Sequence, residues 1–184
     1  MVRRLMAALL IAAPTGAAIA QSESPGGWAL ATMPNGCMVQ ATSPRGTMVS
    51  VWGFAGQDKI AFLLQNRGWN VHDGQAARLN MDFVGGETLP VSATAREHID
   101  ADGPGFLFTV KPGTQGAAGF LTAFTSASGV RITQNGQSFD MLPLEGSRRA
   151  MGALATCLAA RWNEAPRAAA AEAEEEADPA TPVA

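Results

Sequence analysis

Two cysteines, Cys37 and Cys157, are the only ones in this chain of 184 residues, and they stand near opposite ends of its globular part. In an oxidising compartment such a pair forms a disulfide, so the fold has to bring an early segment and a late one within bonding reach. A bridge that closes a loop of roughly 100 residues removes about 4.7 kcal/mol of denatured-state entropy in the chain-entropy treatment. Redox-active pairs sit close together, as in Cys-x-x-Cys. The wide spacing here predicts a structural clasp between Cys37 and Cys157.

The compartment follows from the first twenty residues. Arg3 and Arg4 give a basic start, Leu5 to Ala13 an apolar run, and Ala18-Ile19-Ala20 a small-residue ending. That is the layout of a secretory signal peptide, with cleavage predicted between Ala20 and Gln21. The paired arginines also fit the twin-arginine route. The general secretory route is preferred, because a strongly apolar segment follows them at once. The apolar run is shorter than the roughly 20 residues that cross a bilayer, so integral membrane insertion is not expected. No cysteine lies near the cleavage point to take a lipid. A soluble periplasmic or secreted protein is the expectation.

Charge divides the remainder. Residues 164–184 hold Glu164, Glu172, Glu174, Glu175, Glu176 and Asp178 against Arg167 alone, whereas residues 21–163 hold ten acids and ten lysines or arginines. The reading is therefore one domain over 21–163 and an acidic Ala/Glu/Pro-rich tail over 164–184, expected to be disordered because it has almost nothing apolar to bury. A nearly neutral domain gives no electrostatic reason to expect nucleic acid or an anionic membrane as partner. With both cysteines paired, the protein is expected to be a monomer.

From Trp28 to Val110, short apolar or alternating runs are separated by Gly, Pro, Asn and Asp, the pattern of strands and turns. Leu79, Met81 and Phe83 alternate with Arg78, Asn80 and Asp82; Val91, Ala93 and Ala95 alternate with Ser92, Thr94 and Arg96. Gly85-Gly86 between them suits a tight hairpin. Thr47 to Phe54 and Lys59 to Leu64 are apolar on both faces and predict central strands. Helical spacing appears from Gln115 to Ser126, with Thr114 as N-cap and Gly129 as stop, and again from Ser147, where Ala150, Met151, Leu154, Cys157 and Leu158 share a face. Asn135-Gly136 predicts a hairpin between the helices, and Pro166 is expected to cut the last helix. The fold class is α+β: a mostly antiparallel sheet with two helices, the last one tethered by the disulfide. A sandwich or a partly closed barrel is the alternative.

Chemistry-bearing residues are few. There is no tyrosine, and His72 and His98 are the only histidines. His98 stands close to Asp100 and Asp102, which permits a general base oriented by a carboxylate, or oxygen ligands for a cation. The same stretch, His-Ile-Asp-Ala-Asp-Gly-Pro-Gly, also reads as a polar turn, and His72-Asp73-Gly74 does likewise. The mature chain has no nucleophile elbow, zinc-binding helix, phosphate loop or dinucleotide fingerprint. No catalytic residue is assigned, and neither a metal nor a cofactor is expected. Among Trp28, Trp52, Trp69 and Trp162, Trp69 lies between Arg67-Gly68 and Asn70 and is the best candidate for an exposed recognition aromatic. Arg148 and Arg149 oppose the dipole in the first turn of the last helix. They mark either an anion-binding spot or a pair with a carboxylate such as Glu145.

The segment Leu142-Pro143-Leu144-Glu145-Gly146-Ser147, followed by Ala150 and Cys157, resembles the close of small uncharacterised secreted proteins of Gram-negative bacteria. That resemblance implies a periplasmic setting and says nothing of chemistry. The function expected is a non-catalytic module that binds a protein, peptide or envelope component. The alternatives are a periplasmic hydrolase using His98 with Asp100 or Asp102, and a passive envelope protein whose acidic tail is a spacer.

Overall fold

The computed structural model describes residues 22–24, 27–97 and 103–176, with side chains described for 27–97 and 103–162. The chain forms β1 (Ser22–Ser24), β2 (Trp28–Met33), β3 (Gly36–Thr42), β4 (Met48–Phe54), β5 (Ile60–Gln65), β6 (Ala76–Phe83), β7 (Thr88–Arg96), β8 (Gly105–Val110), α1 (Gln115–Ser126), β9 (Gly129–Gln134), β10 (Gln137–Pro143) and α2 (Ser147–Glu176). All the strands join one antiparallel sheet in the order β1-β2-β3-β4-β5-β8-β7-β6-β9-β10. The α+β class and the tethered last helix are as the sequence predicts.

Side-chain period explains which face is buried. In β6, Ala77, Leu79, Met81 and Phe83 point inward while Ala76 and Arg78 are exposed. The runs that are apolar on both faces are central: Val49 and Val51 in β4, and Phe62, Leu63 and Leu64 in β5, are all at most 2% exposed. Asn135 and Gly136 turn the β9–β10 hairpin with φ of 51° and 79°, the left-handed backbone that a two-residue turn needs.

The sheet is strongly curved without closing, so β1 and β10 remain its edges. Two polar ties bring distant parts of it together. The buried Ser43 hydroxyl, just after β3, donates to Asp140 Oδ2 in β10 at 2.7 Å. Trp28 Nε1, at the start of β2 and so beside the end of β3, donates to the Glu145 carbonyl just after β10 at 3.1 Å.

The hollow of the curve is filled from α1. Thr114 caps this helix, its hydroxyl accepting from the Ala117 N–H. The helix ends at Ser126 with Ala127 as C-cap, and Gly129, expected as its stop, opens β9 instead. Phe120 and Phe124 project into the sheet. Phe120 lies 5.1 Å from Phe62, 5.8 Å from Phe83 and 5.6 Å from Phe108, edge to face in each case.

Helix α2 packs beside α1 and across β2, β3 and β4. Ala150 and Leu154 are buried, and Cys157 is bonded to Cys37 of β3 with a Cα–Cα distance of 6.2 Å. Gly53 in β4 lets the helix approach: a Cβ there would collide with the Leu158 side chain. The helix runs through Pro166, where the sequence predicts a break. Proline there removes one intrahelical donor, but Ala159, Ala160, Ala165 and Ala168 to Ala171 flank it with the strongest helix-forming residue. Among the described residues no helix is long and apolar enough to cross a membrane.

Candidate functional site

Strands β7 and β8 are neighbours, yet they pair at three positions only: Thr94 with Leu107, Ala95 with Phe106 and Arg96 with Gly105. Beyond these the ladder stops, although each strand stays fully paired on its other side. Thr88 to Thr94 remain in register with Asp82 to Ala76 of β6, and Gly105 to Val110 with Gln65 to Ile60 of β5. The sheet is split from the start of β7 to the end of β8.

Backbone parity shows what faces the split. The Ala95 N–H donates to the Gln75 carbonyl at 2.8 Å, and the Ala95 carbonyl accepts from the Gly74 N–H at 2.9 Å. Odd-numbered residues of β7 therefore turn their backbone groups to β6, and even-numbered ones turn theirs to β8. Ser92 presents an N–H and a carbonyl to the split. Pro90 presents a carbonyl, and its missing N–H would point the same way, which is why proline is tolerated in this strand. On β8, the Asn66 N–H donates to the Pro104 carbonyl at 3.1 Å, so even-numbered residues bond toward β5. Thr109 is left with both backbone groups facing the gap.

The opening is a cleft of about 460 Å³, within the range of ligand sites. Its floor is apolar: Leu89, Val91, Phe108, Val110, Ala117 and Phe120. Ser92, Thr109, Lys111 and Thr114 form a polar rim, and the first turn of α1 closes one end. Lys111 Nζ lies 2.6 Å from Asp58 Oδ2 with both groups exposed. The hydrogen bond from Lys111, followed by its charge, holds the Asp58 carboxyl below the ordinary carboxylate range, and the same contacts raise the lysine. Lys111 thus keeps its positive charge at the mouth, beside a helix N-terminus that carries no acid in its first turn.

Two other hollows have a different make-up. One of about 620 Å³ surrounds the Met33 to Asn35 turn, and one of about 340 Å³ lies by Arg45 and Arg67. The larger has apolar walls from Met33, Pro34, Phe54 and Ala55 but sits at a turn and strand ends, and the smaller is chiefly polar; neither lies along a split ladder.

The residues singled out from sequence lie elsewhere. His98, Asp100 and Asp102 fall outside the described residues. His72 is exposed in a turn. Trp69 is half-buried, its ring 5.5 Å from Phe106 and 5.4 Å from Phe139. It is packed against the core rather than displayed, and Trp162 at 56% exposure is the tryptophan that faces solvent. Arg148 and Arg149 are exposed, and Arg148 Nε donates to the Thr125 carbonyl at 3.3 Å. Thr125 is in the last turn of α1, so Arg148 meets the negative end of that helix's dipole and not the Glu145 carboxylate. Cys37 and Cys157 are joined as expected.

Sequence reasoning missed the cleft. Its one local signal is Pro90, which cannot sit between two fully paired neighbours. Comparison with protein-family models, with curated proteins and with solved structures finds no match to this chain.

Proposed function

We propose that this chain is an exported, non-catalytic binding module and that its ligand occupies the cleft between β7, β8 and the start of α1. The observation that carries this reading is the combination of an apolar floor with a rim of hydroxyls and unpaired backbone groups. A hydrophobic body can be buried there while a few polar contacts orient it. Export rests on the signal-like residues 1–20, and the Cys37–Cys157 bond supports it, because such bridges persist in oxidising compartments. A periplasmic setting fits both.

Two experiments test the proposal. Expression of the full chain in a Gram-negative host, followed by intact mass measurement, is expected to give a product that begins at Gln21 and contains no free thiol. Retention of residues 1–20 would refute export. For the cleft, the apolar probe anilinonaphthalene sulfonate is titrated into the folded protein and read by methyl NMR. Saturable shifts are expected at Leu89, Val91 and Val110. Shifts confined to other surfaces, or none, would refute the assignment of the site.

A further inference from the structure

We infer that the ligand is an extended polypeptide segment, which enters the split as an additional strand between β7 and β8. The inference rests on the cleft being the binding site, and it names the class of ligand.

A sheet whose neighbouring strands part company leaves two rows of hydrogen-bonding groups facing each other. On β7 these are the Ser92 N–H and carbonyl and the Pro90 carbonyl. On β8 they are the Thr109 N–H and carbonyl, followed by the Lys111 N–H. A small apolar molecule answers none of them in full, because its contacts are to the floor. An extended chain answers both rows at once, since its own N–H and carbonyl groups alternate left and right. Because β7 and β8 are antiparallel, the added strand runs antiparallel to one and parallel to the other. The free stretch of β7, from Thr88 to Ala93, takes a segment of about five residues, roughly 17 Å long.

Side chains of the incoming segment must then alternate. Those on the inner face meet Leu89, Val91, Phe108, Val110 and Phe120, so they are apolar and of medium size. Those on the outer face lie beside the exposed Ser92 and Thr109 and are polar. Charge complementarity sets one end. Lys111, which is paired with Asp58 but keeps further ammonium donors, and the acid-free first turn of α1 lie at the mouth, which favours an acidic residue at that end of the segment. The partner is thus a protein with an accessible strand-forming segment of alternating apolar and polar residues that ends in an acid.

The test uses the mature, disulfide-bonded protein and the probe peptide acetyl-Thr-Val-Thr-Val-Glu-amide. Binding is read by amide NMR. Shifts and slowed exchange are expected at Ser92, Thr109 and Lys111. A version of the peptide N-methylated at alternate residues loses the donors for one neighbour and is expected to bind at least roughly tenfold more weakly. Ser92→Pro removes one donor that faces the split while leaving the ladder to β6 complete, and it is expected to weaken the peptide similarly. Ser92→Ala, which keeps the N–H, is expected to bind as the parent does. Dispersed amide spectra check that each variant is folded, and Thr109→Pro replaces Ser92→Pro if that variant is not. If anilinonaphthalene sulfonate shifts the cleft methyls but the peptide does not bind there, or binds equally well when N-methylated, the strand inference is overturned and the cleft remains a ligand site. If neither probe reaches the cleft, the site assignment itself is overturned.

Discussion

Reducing the Cys37–Cys157 bond tests how the two ends of the fold are held. The cysteines are 120 positions apart. For a loop of that length the chain-entropy relation gives a denatured-state penalty of about 16 cal/mol/K, or about 4.9 kcal/mol at room temperature. In the native state the bond is backed by other contacts between α2 and the sheet. Leu154 is 1% exposed, Leu158 packs over Gly53, and the Ser147 hydroxyl donates to the Phe124 carbonyl at 2.8 Å. The reduced protein is therefore expected to stay folded in water with its helix docked, and to lose roughly 3–5 kcal/mol because its unfolded chain is freed. Urea titrations of oxidised and reduced protein, followed by tryptophan fluorescence, measure this. The midpoint is expected to fall on reduction, and the slope is expected to rise because a chain without the loop exposes more surface. Thermal melting is expected to drop by about 10–20 °C. A loss below about 1 kcal/mol with an unchanged slope would refute the idea that the bond acts on the unfolded chain.

Three further outcomes follow from the packing. Asp140→Ala removes the acceptor of the buried Ser43 hydroxyl and of the Met141 N–H, which lies 2.7 Å from Oδ1, and is expected to cost about 1–3 kcal/mol in chemical denaturation; no loss would show that the tie is idle. Truncation after Asn163 is expected to leave the melting temperature nearly unchanged, because Leu158 is the last of the described α2 side chains packed against the core and it lies a turn before the cut; a drop of many degrees would mean that the removed part packs. Since Lys111 depresses the Asp58 carboxyl, the pair contributes above the unfolded-state carboxylate pKa, and the contribution is lost as pH falls through the folded value; both groups are exposed, so the effect on stability is small. Lys111→Ala is expected to return the Asp58 titration, read by NMR, toward the ordinary range, and an unmoved titration would refute the coupling.

Local signals were legible where the residues that decide an element adjoin it. The α1 bounds follow from Thr114 and the spacing of Ala117, Phe120 and Phe124, and the β9–β10 turn follows from Asn135-Gly136. The inward phase of β6 follows from alternation. What escaped the sequence depends on contacts far along the chain. Trp69 reads as a loop aromatic until Phe106 and Phe139 are brought to it. The Asp140 phase is hidden by an irregularity between Ser138 and Asp140 that resets the alternation in β10. Arg148 opposes its own helix but serves α1, which the sequence places 23 residues away. The cleft is the extreme case. Alternation starts the β7 strand at Val91, whereas the structure starts it at Thr88 and carries it through Pro90. Which neighbour a strand leaves unpaired is a property of the sheet order, and Pro90 signals locally only that one side of its strand is open.

The central claim is that β7 and β8 stand open to a ligand, and amide hydrogen exchange of the free, oxidised protein tests it residue by residue. Ala93 bonds toward β6 and Val110 toward β5, so both amides are expected to be strongly protected. Ser92 and Thr109 face the split and are expected to exchange close to the rate of an unstructured chain. Equal protection of all four would mean that the two strands zip together in solution, and that no cleft exists for a ligand to fill.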